Sequence, residues 1–400
     1  RSVASISVIF LGKYVVDIFP GIPNFISNDA NVNEDANLNI TQLIHKYKYY
    51  IEEHKVTTED GYILSVQRLK NTKNGIPILL MHGIMDSADS WILQGPNNSL
   101  GYLLANEGFD VWMGNARGNQ HSLSHINLNQ YDEKFWNFTW EEIGLYDLPA
   151  TIDYILNETD TKALYYVGHS QGTTSFYVMN SLRPEYNEKI KMMFSLAPVA
   201  WMKNIKNPVL KLLSKFISYS SQFNLYTPSK DFFTQVSSFC GIFSYSCDNI
   251  VNLLSGSDNS SVDKSMLPVI YGHYPSTSST LQFIHYGQLM NSGRFCRFDF
   301  GQGNTVKYGD VIPTDYNLSN ITVPIVLFYS NNDWLSDPSD VKTLSQHLPN
   351  VYKKYFIENF NHIDYMYANI AKQKVRGLEL TGGRGQKACC SPAPHRGSHY

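Results

Sequence analysis

The stretch "VGHSQGTT", residues 167 to 174, sets a serine hydroxyl between Gly168 and Gly172, directly after the β-forming run "ALYYV". A Gly-x-Ser-x-Gly pattern between a strand and a helix holds its serine on a sharp turn above the strand's carboxyl edge. Side chains at the two glycines would collide with the neighbouring strand and helix, and "TTSFYVMNSLRP" supplies the helix. Serine is a poor nucleophile near neutral pH, so Ser170 needs a base to take its proton and a carboxylate to orient that base. Where this turn occurs, the partners follow in the order serine, acid, histidine. "SNNDWLSDPSD" puts Asp333 where a strand meets its loop, with Asp337 and Asp340 falling later, and "YFIENFNHIDY" puts His362 in the loop beyond the last strand. Among twelve histidines, His82 and His169 flank glycine turns and are read as shaping them. His273 and His285 fall in an insert, and His395 and His399 lie near the end of the chain. Acyl transfer also needs two N–H donors for the oxyanion of its tetrahedral intermediate. Gln171, directly after the serine, fits the first, and Ile84 in "MHGIMDSADSW" fits the second, with His82-Gly83 opening its turn.

Such residues work only if strands deliver them to one edge. Residues 47 to 70 alternate and turn at Asp60-Gly61, a hairpin signal. Short apolar runs follow, "PILLMHG", "FDVWMGN", "ALYYVGH", "KMMFSLAP" and "PIVLFYSNND", separated by helical patterns. In one of these, residues 141 to 156, Leu145, Leu148, Ile152 and Ile155 share a stripe. Strands alternating with helices predict an α/β fold, a mostly parallel sheet covered on both faces. About 125 residues separate Pro198 from Pro324, far more than a simple crossover needs, so a subdomain is inserted there. It contains "NPVLKLLSKFISYS", with Val209, Leu212, Leu213 and Phe216 on one helical stripe and Lys206, Lys211 and Lys215 off it.

With 43% apolar residues in a chain of 400, a large core is within reach, and 32 basic against 35 acidic residues leave a net charge of -3. No basic block is long enough to follow a phosphate backbone, so nucleic acid is not an expected partner. The opening "RSVASISVIFLG" reads as the remnant of a secretory signal, and no other stretch resembles a membrane span. Seven sequons, at Asn39, Asn97, Asn137, Asn157, Asn259, Asn317 and Asn320, fit a secreted or lysosomal glycoprotein. Of five cysteines, Cys240 and Cys247 are close enough to close a small loop, Cys296 stands alone, and Cys389 and Cys390 are adjacent, so at least one thiol is free or bridges to another chain. Past about Val375 the composition turns to Gly and Arg without apolar period, which reads as a disordered tail.

Six blocks, "TTEDGYIL", "MHGIMDSADSW", "NARGN", "GHSQGTT", "SLAPVA" and "NFNHIDY", occur in the order seen in the acid lipases of neutral lipids, and residues 40 to 375 resemble that family. The resemblance implies an α/β-hydrolase core at 40–200 and 321–375 with a cap and lid at 201–320; outside its reach stand the signal-remnant N-terminal segment at 1–25 and the atypical tail at 376–400. It implies Ser170 as nucleophile, Asp333 as acid, His362 as base and Ile84 and Gln171 as oxyanion donors, with no metal or organic cofactor. The implied substrate is a neutral lipid at a lipid–water interface, cleaved by a monomer. Ala116 stands where serine is common in relatives, and Ser255 replaces a cysteine of some of them, which narrows the implied disulfide to Cys240 and Cys247. Two other readings of the same scaffold are an esterase for small dissolved esters and a non-catalytic lipid carrier.

Overall fold

The computed structural model describes residues 34–70, 75–217, 256, 262–263 and 266–368. The N-terminal segment 1–25, Cys240, Cys247, Ser255, Asn259, the 376–400 tail and the side chains of Val209, Leu213 and Phe216 lie outside the described residues.

The hairpin forms as its alternation predicts. β1 (Tyr50–Thr57) and β2 (Tyr62–Lys70) pair antiparallel in register from Tyr50 opposite Lys70 to Thr57 opposite Ile63. Then come β3 (Pro77–Met81), β4 (Asp110–Met113), the two-residue β5 (Ser124–His125), β6 (Leu164–His169), β7 (Ile190–Leu196), β8 (Ile325–Tyr329) and β9 (Val351–Phe356). Their order across the sheet is β1-β2-β4-β3-β6-β7-β8-β9, with β5 added at β2, and every pair from β4 to β9 is parallel. After β3 the chain first goes to one side, to β4, and then to the other, to β6. That reversal leaves a crevice at the carboxyl ends of β3 and β6, where open α/β sheets bind their ligands.

Helices cover each face, so the strands read as continuous apolar runs rather than alternating ones. Alternate residues of β3 go to different cores. Leu79 and Met81 pack with Trp112, Ile152 and Phe176, whereas Ile78 and Leu80 pack with Trp91, Tyr102 and Val111. Between β7 and β8 lie the helices Pro208–Ile217, Leu267–His273 and Thr280–Ser292 of the insert.

One helical stripe differs from its periodicity. Residues 140 to 159 are helical throughout, but Ile143–Asp147 form a π turn, which takes in one residue beyond the α spacing. Leu148, Ile152 and Ile155 are buried as expected, while Leu145 is only half-buried. The turn presses Gly144 against the helix Gln171–Leu182: a Cβ there would lie 2.7 Å from the Ser175 carbonyl oxygen. It also brings Asp147 inward to Arg117.

Candidate active site

Ser170 occupies the turn between β6 and the helix Gln171–Leu182, with φ 51° and ψ -117°. A non-glycine residue held so costs on the order of 1–3 kcal/mol and persists only where its surroundings fix it. Here the Ser170 N–H donates to the Leu196 carbonyl at 3.0 Å, and the Ser170 carbonyl accepts from the Thr173 N–H at 2.9 Å and the Thr173 hydroxyl at 2.6 Å. The turn also requires Gly172, where a Cβ would come within 2.3 Å of the Met81 carbonyl oxygen on β3.

His362, in the loop after β9, brings Nε2 to 2.7 Å from Ser170 Oγ. Its Nδ1 lies 2.9 Å from each carboxylate oxygen of Asp333, which follows β8. A carboxylate only accepts, so Nδ1 carries the proton and Nε2 is left to accept from the serine hydroxyl. Asp333 is fully buried, and its Oδ1 also accepts from the backbone N–H groups of Leu335 at 2.9 Å and Ser336 at 2.8 Å. Sequence positions 170, 333 and 362 thus meet at one edge of the sheet, joined by an unbroken line of hydrogen bonds. Asp337 and Asp340 are occupied elsewhere: Asp337 caps the helix Pro338–His347 through the Ser339 N–H at 2.8 Å, and Asp340 accepts from Asn204.

The two flanking histidines are held neutral. The Nδ1 of His82 donates to the Gly83 carbonyl at 2.7 Å while its Nε2 accepts from the Ala116 N–H at 3.1 Å, and burial lowers its pKa to about 4. His169 donates from Nε2 to the carbonyl of His362 at 2.8 Å; burial, then the neighbouring His362, lowers its pKa to about 3. His82 thereby ties the turn after β3 to the turn after β4, and His169 steadies the backbone of His362. Ile84 and Gln171 line a single recess, together with Gly83, Thr277, Ser278 and Gln282. It lies beside the serine, since a Cβ on Gly83 would be 3.3 Å from Ser170 Cβ.

Residues 76–368 match the model of the α/β-hydrolase fold, and residues 40–95 match a partial α/β-hydrolase lipase region. Lipase 1 of Drosophila melanogaster is 40% identical over 361 residues, spanning 88% of this chain and 81% of that protein. Gastric triacylglycerol lipase of Bos taurus is 38% identical over 358 residues, 86% of this chain and 90% of that one. The chain belongs to the acid lipase family. Lipase member K of Homo sapiens is another relative of this acid lipase, 37% identical over 361 residues, covering 86% of this chain and 90% of that one. Among solved structures, a protein from Acinetobacter baumannii AYE superposes with a TM-score of 0.51 at 13% identity, over 86% of this chain and 97% of that one, a likeness of fold alone.

Two features of the site in this acid lipase escaped the motif reading. Arg117, in the "NARGN" block, is 1% exposed. Its Nε donates to Asp147 at 2.7 Å, its Nη2 to Asp60 at 2.8 Å, and its guanidinium sits 4.1 Å from the Tyr62 ring centre. One cation therefore fastens the hairpin turn, the π turn and the loop after β4. Buried Asp89 likewise faces His121 and His273, each at 2.8 Å. The arginine was visible in the block, but partners 57 and 30 residues away carry no local signal. Of the sequons, Asn39, Asn97, Asn137, Asn157 and Asn317 are exposed; Asn320 is half-buried, its Nδ2 donating to the Ser181 carbonyl at 2.8 Å. Cys296 is a buried free thiol. Among the described residues no cluster of three or more His, Cys, Asp or Glu is placed to hold a metal, and no helix is long and apolar enough to cross a membrane.

Proposed function

We propose that this acid lipase hydrolyses carboxylic esters of neutral lipids through an acyl-enzyme on Ser170. The observation that carries the reading is the hydrogen-bonded line from Ser170 Oγ through His362 to buried Asp333. Ser170 Oγ attacks the ester carbonyl carbon as His362 Nε2 takes its proton, and Asp333 fixes the imidazole tautomer and stabilises the cation that forms. The oxyanion accepts hydrogen bonds from the backbone N–H groups of Ile84 and Gln171. As the C–O bond breaks, the alcohol leaves with the proton held by His362. Water then attacks the acyl carbonyl with His362 again as base, the acid departs, and Ser170 regains its proton.

The preference for water-insoluble esters is supported by family membership and by gastric triacylglycerol lipase among its relatives. Residues 201–320 serve as a cap over the carboxyl edge of the sheet, a role supported by the contacts of Ser276 and Gln282 with the serine side of the site. The exposed sequons at Asn39, Asn97, Asn137, Asn157 and Asn317 support a glycosylated protein, secreted or lysosomal.

The deciding experiment measures acid released from emulsified triglyceride, cholesteryl ester and a dissolved short-chain ester, by the wild type and by Ser170→Ala. Turnover of emulsified lipid by the wild type and none of any ester by the variant is expected, because the triad acts as a unit. Turnover of the dissolved ester alone would assign the chain to small esters, and lipid binding without turnover would make it a carrier.

A further inference from the structure

We propose that the insert segment Ser276–Gln282 positions both oxyanion donors, with Gln282 holding Gln171 in place. The inference rests on the reading of Ile84 and Gln171 as those donors.

The segment grips each donor's neighbourhood at a different end. At its start, the Ser276 N–H donates to the Met85 carbonyl at 2.6 Å, one residue beyond Ile84. Met85 has φ 56°, a conformation that non-glycine residues avoid, so the turn bearing Ile84 needs a tertiary partner to keep its shape. At the other end, Gln171 Nε2 donates to Gln282 Oε1, and the Gln282 amide is itself fixed by donating from Nε2 to Ser278 Oγ at 2.9 Å. With its nitrogen committed to Ser278, Gln282 has only its oxygen to turn toward Gln171. Gln282 is 2% exposed, and Gln171 Oε1 is buried without a partner, so the bond to Gln282 anchors that side chain.

The middle of the segment is tied to the core on the same side. Thr277 Oγ1 donates to the Gly118 carbonyl at 2.5 Å, and Ser279 Oγ donates to the Trp136 carbonyl at 2.7 Å. Thr277, Ser278 and Gln282 line the recess that Ile84 and Gln171 also line.

An oxyanion site works because its donors are aimed before the charge develops, so small displacements cost rate rather than substrate binding. The Gln171 N–H starts a helix directly after the strained Ser170, and rotation of that one peptide plane swings the donor off its target. A side chain anchored in the insert opposes the rotation. Gln282 is thus a positioning residue that acts through Gln171.

The test uses the full chain, a dissolved p-nitrophenyl butyrate substrate and titration of active sites with a serine-reactive phosphonate. Gln282→Ala is expected to lower kcat per titrated site by about 10–100-fold, less than or equal to the loss of a whole donor, with KM within about twofold. Gln171→Ala keeps its backbone N–H but has no side chain for Gln282 to hold, so adding Gln282→Ala to it should cost little more. Gln282→Met, nearly isosteric, with only a weakly accepting sulfur and no N–H for Ser278, carries the same expectation if the alanine variant misfolds. An unchanged kcat per titrated site, or the same further loss in the Gln171→Ala background as in the wild type, would overturn the proposal. Turnover by Ser170→Ala would instead overturn the reading beneath it, so the two failures are distinguishable.

Discussion

Ser170, His362 and Asp333 divide their hydrogen bonds so that only one proton arrangement is available: Asp333 accepts from Nδ1, and Nε2 faces the serine. Asp333→Asn offers N–H donors in place of an acceptor oxygen and favours the opposite tautomer, so kcat is expected to fall by about four orders of magnitude. A loss below tenfold, measured on dissolved ester, would show that Asp333 does not set the tautomer. Two further carboxyls nearby behave differently. Burial pushes Asp86 and Asp364 up to about 7, in Asp364 with the charge of Asp333 adding to it. Each binds its proton more tightly folded than unfolded, and so contributes stability that is present below about pH 4 and lost as pH rises through about 7. His82 and His169 act in the other direction, since their lowered pKa values cost stability as pH falls below about 6.5. Asp86→Asn should flatten the decline between pH 4.5 and 7.5 by on the order of 3 kcal/mol, read from urea unfolding at the two pH values; parallel curves for variant and wild type would refute this. Ser170, with its glycines, was legible because a nucleophile turn is local. The tether from Gln171 to Gln282 was not, because it joins amides 111 residues apart.

The elements were legible wherever apolar period and turn residues agree, as in the β1–β2 hairpin about Asp60-Gly61 and in β3, β4, β6, β7 and β8, whereas the two-residue β5 has no apolar run to announce it. Where the structure departs from the period, at the π turn Ile143–Asp147, a buried ion pair accounts for it. A continuous α-helix would keep Leu145 on the apolar stripe; the π turn gives up part of that burial and instead supplies both oxygens of Asp147 to Arg117, at 2.7 Å to Nε and 2.9 Å to its backbone N–H. No period in the sequence reports a partner on another element. Arg117→Ala leaves Asp147 buried and unpaired, so a destabilisation of about 3–5 kcal/mol is expected from denaturant midpoints. A change below about 1 kcal/mol, the usual worth of an exposed pair, would mean that the network holds nothing together.

At the scale of the whole molecule, the length between β7 and β8 announced an insert but not how it sits, because segments that fold onto another unit carry no signal of where they land. In the helix Pro208–Ile217, Ser214 is buried and its hydroxyl donates to Asn291 at 3.3 Å, whereas Leu212, expected on the apolar stripe, is 58% exposed. A single exposed leucine is ordinary on a protein surface, but on the proposed cap it is placed where an interfacial role can be tested. Leu212→Asp is expected to reduce turnover of emulsified triglyceride severalfold while leaving dissolved ester unaffected; equal losses on the two would deny the helix an interfacial role. The central claim is narrower: one ester at a time is carried as an acyl group on Ser170. The direct measurement mixes the protein with a dissolved p-nitrophenyl ester, quenches in acid during the first turnover and maps the peptides by mass. The account predicts a burst of nitrophenol of about one per chain and the acyl mass on the peptide containing Ser170. Turnover without a burst, with Ser170 unmodified or the acyl group on another residue, would contradict it.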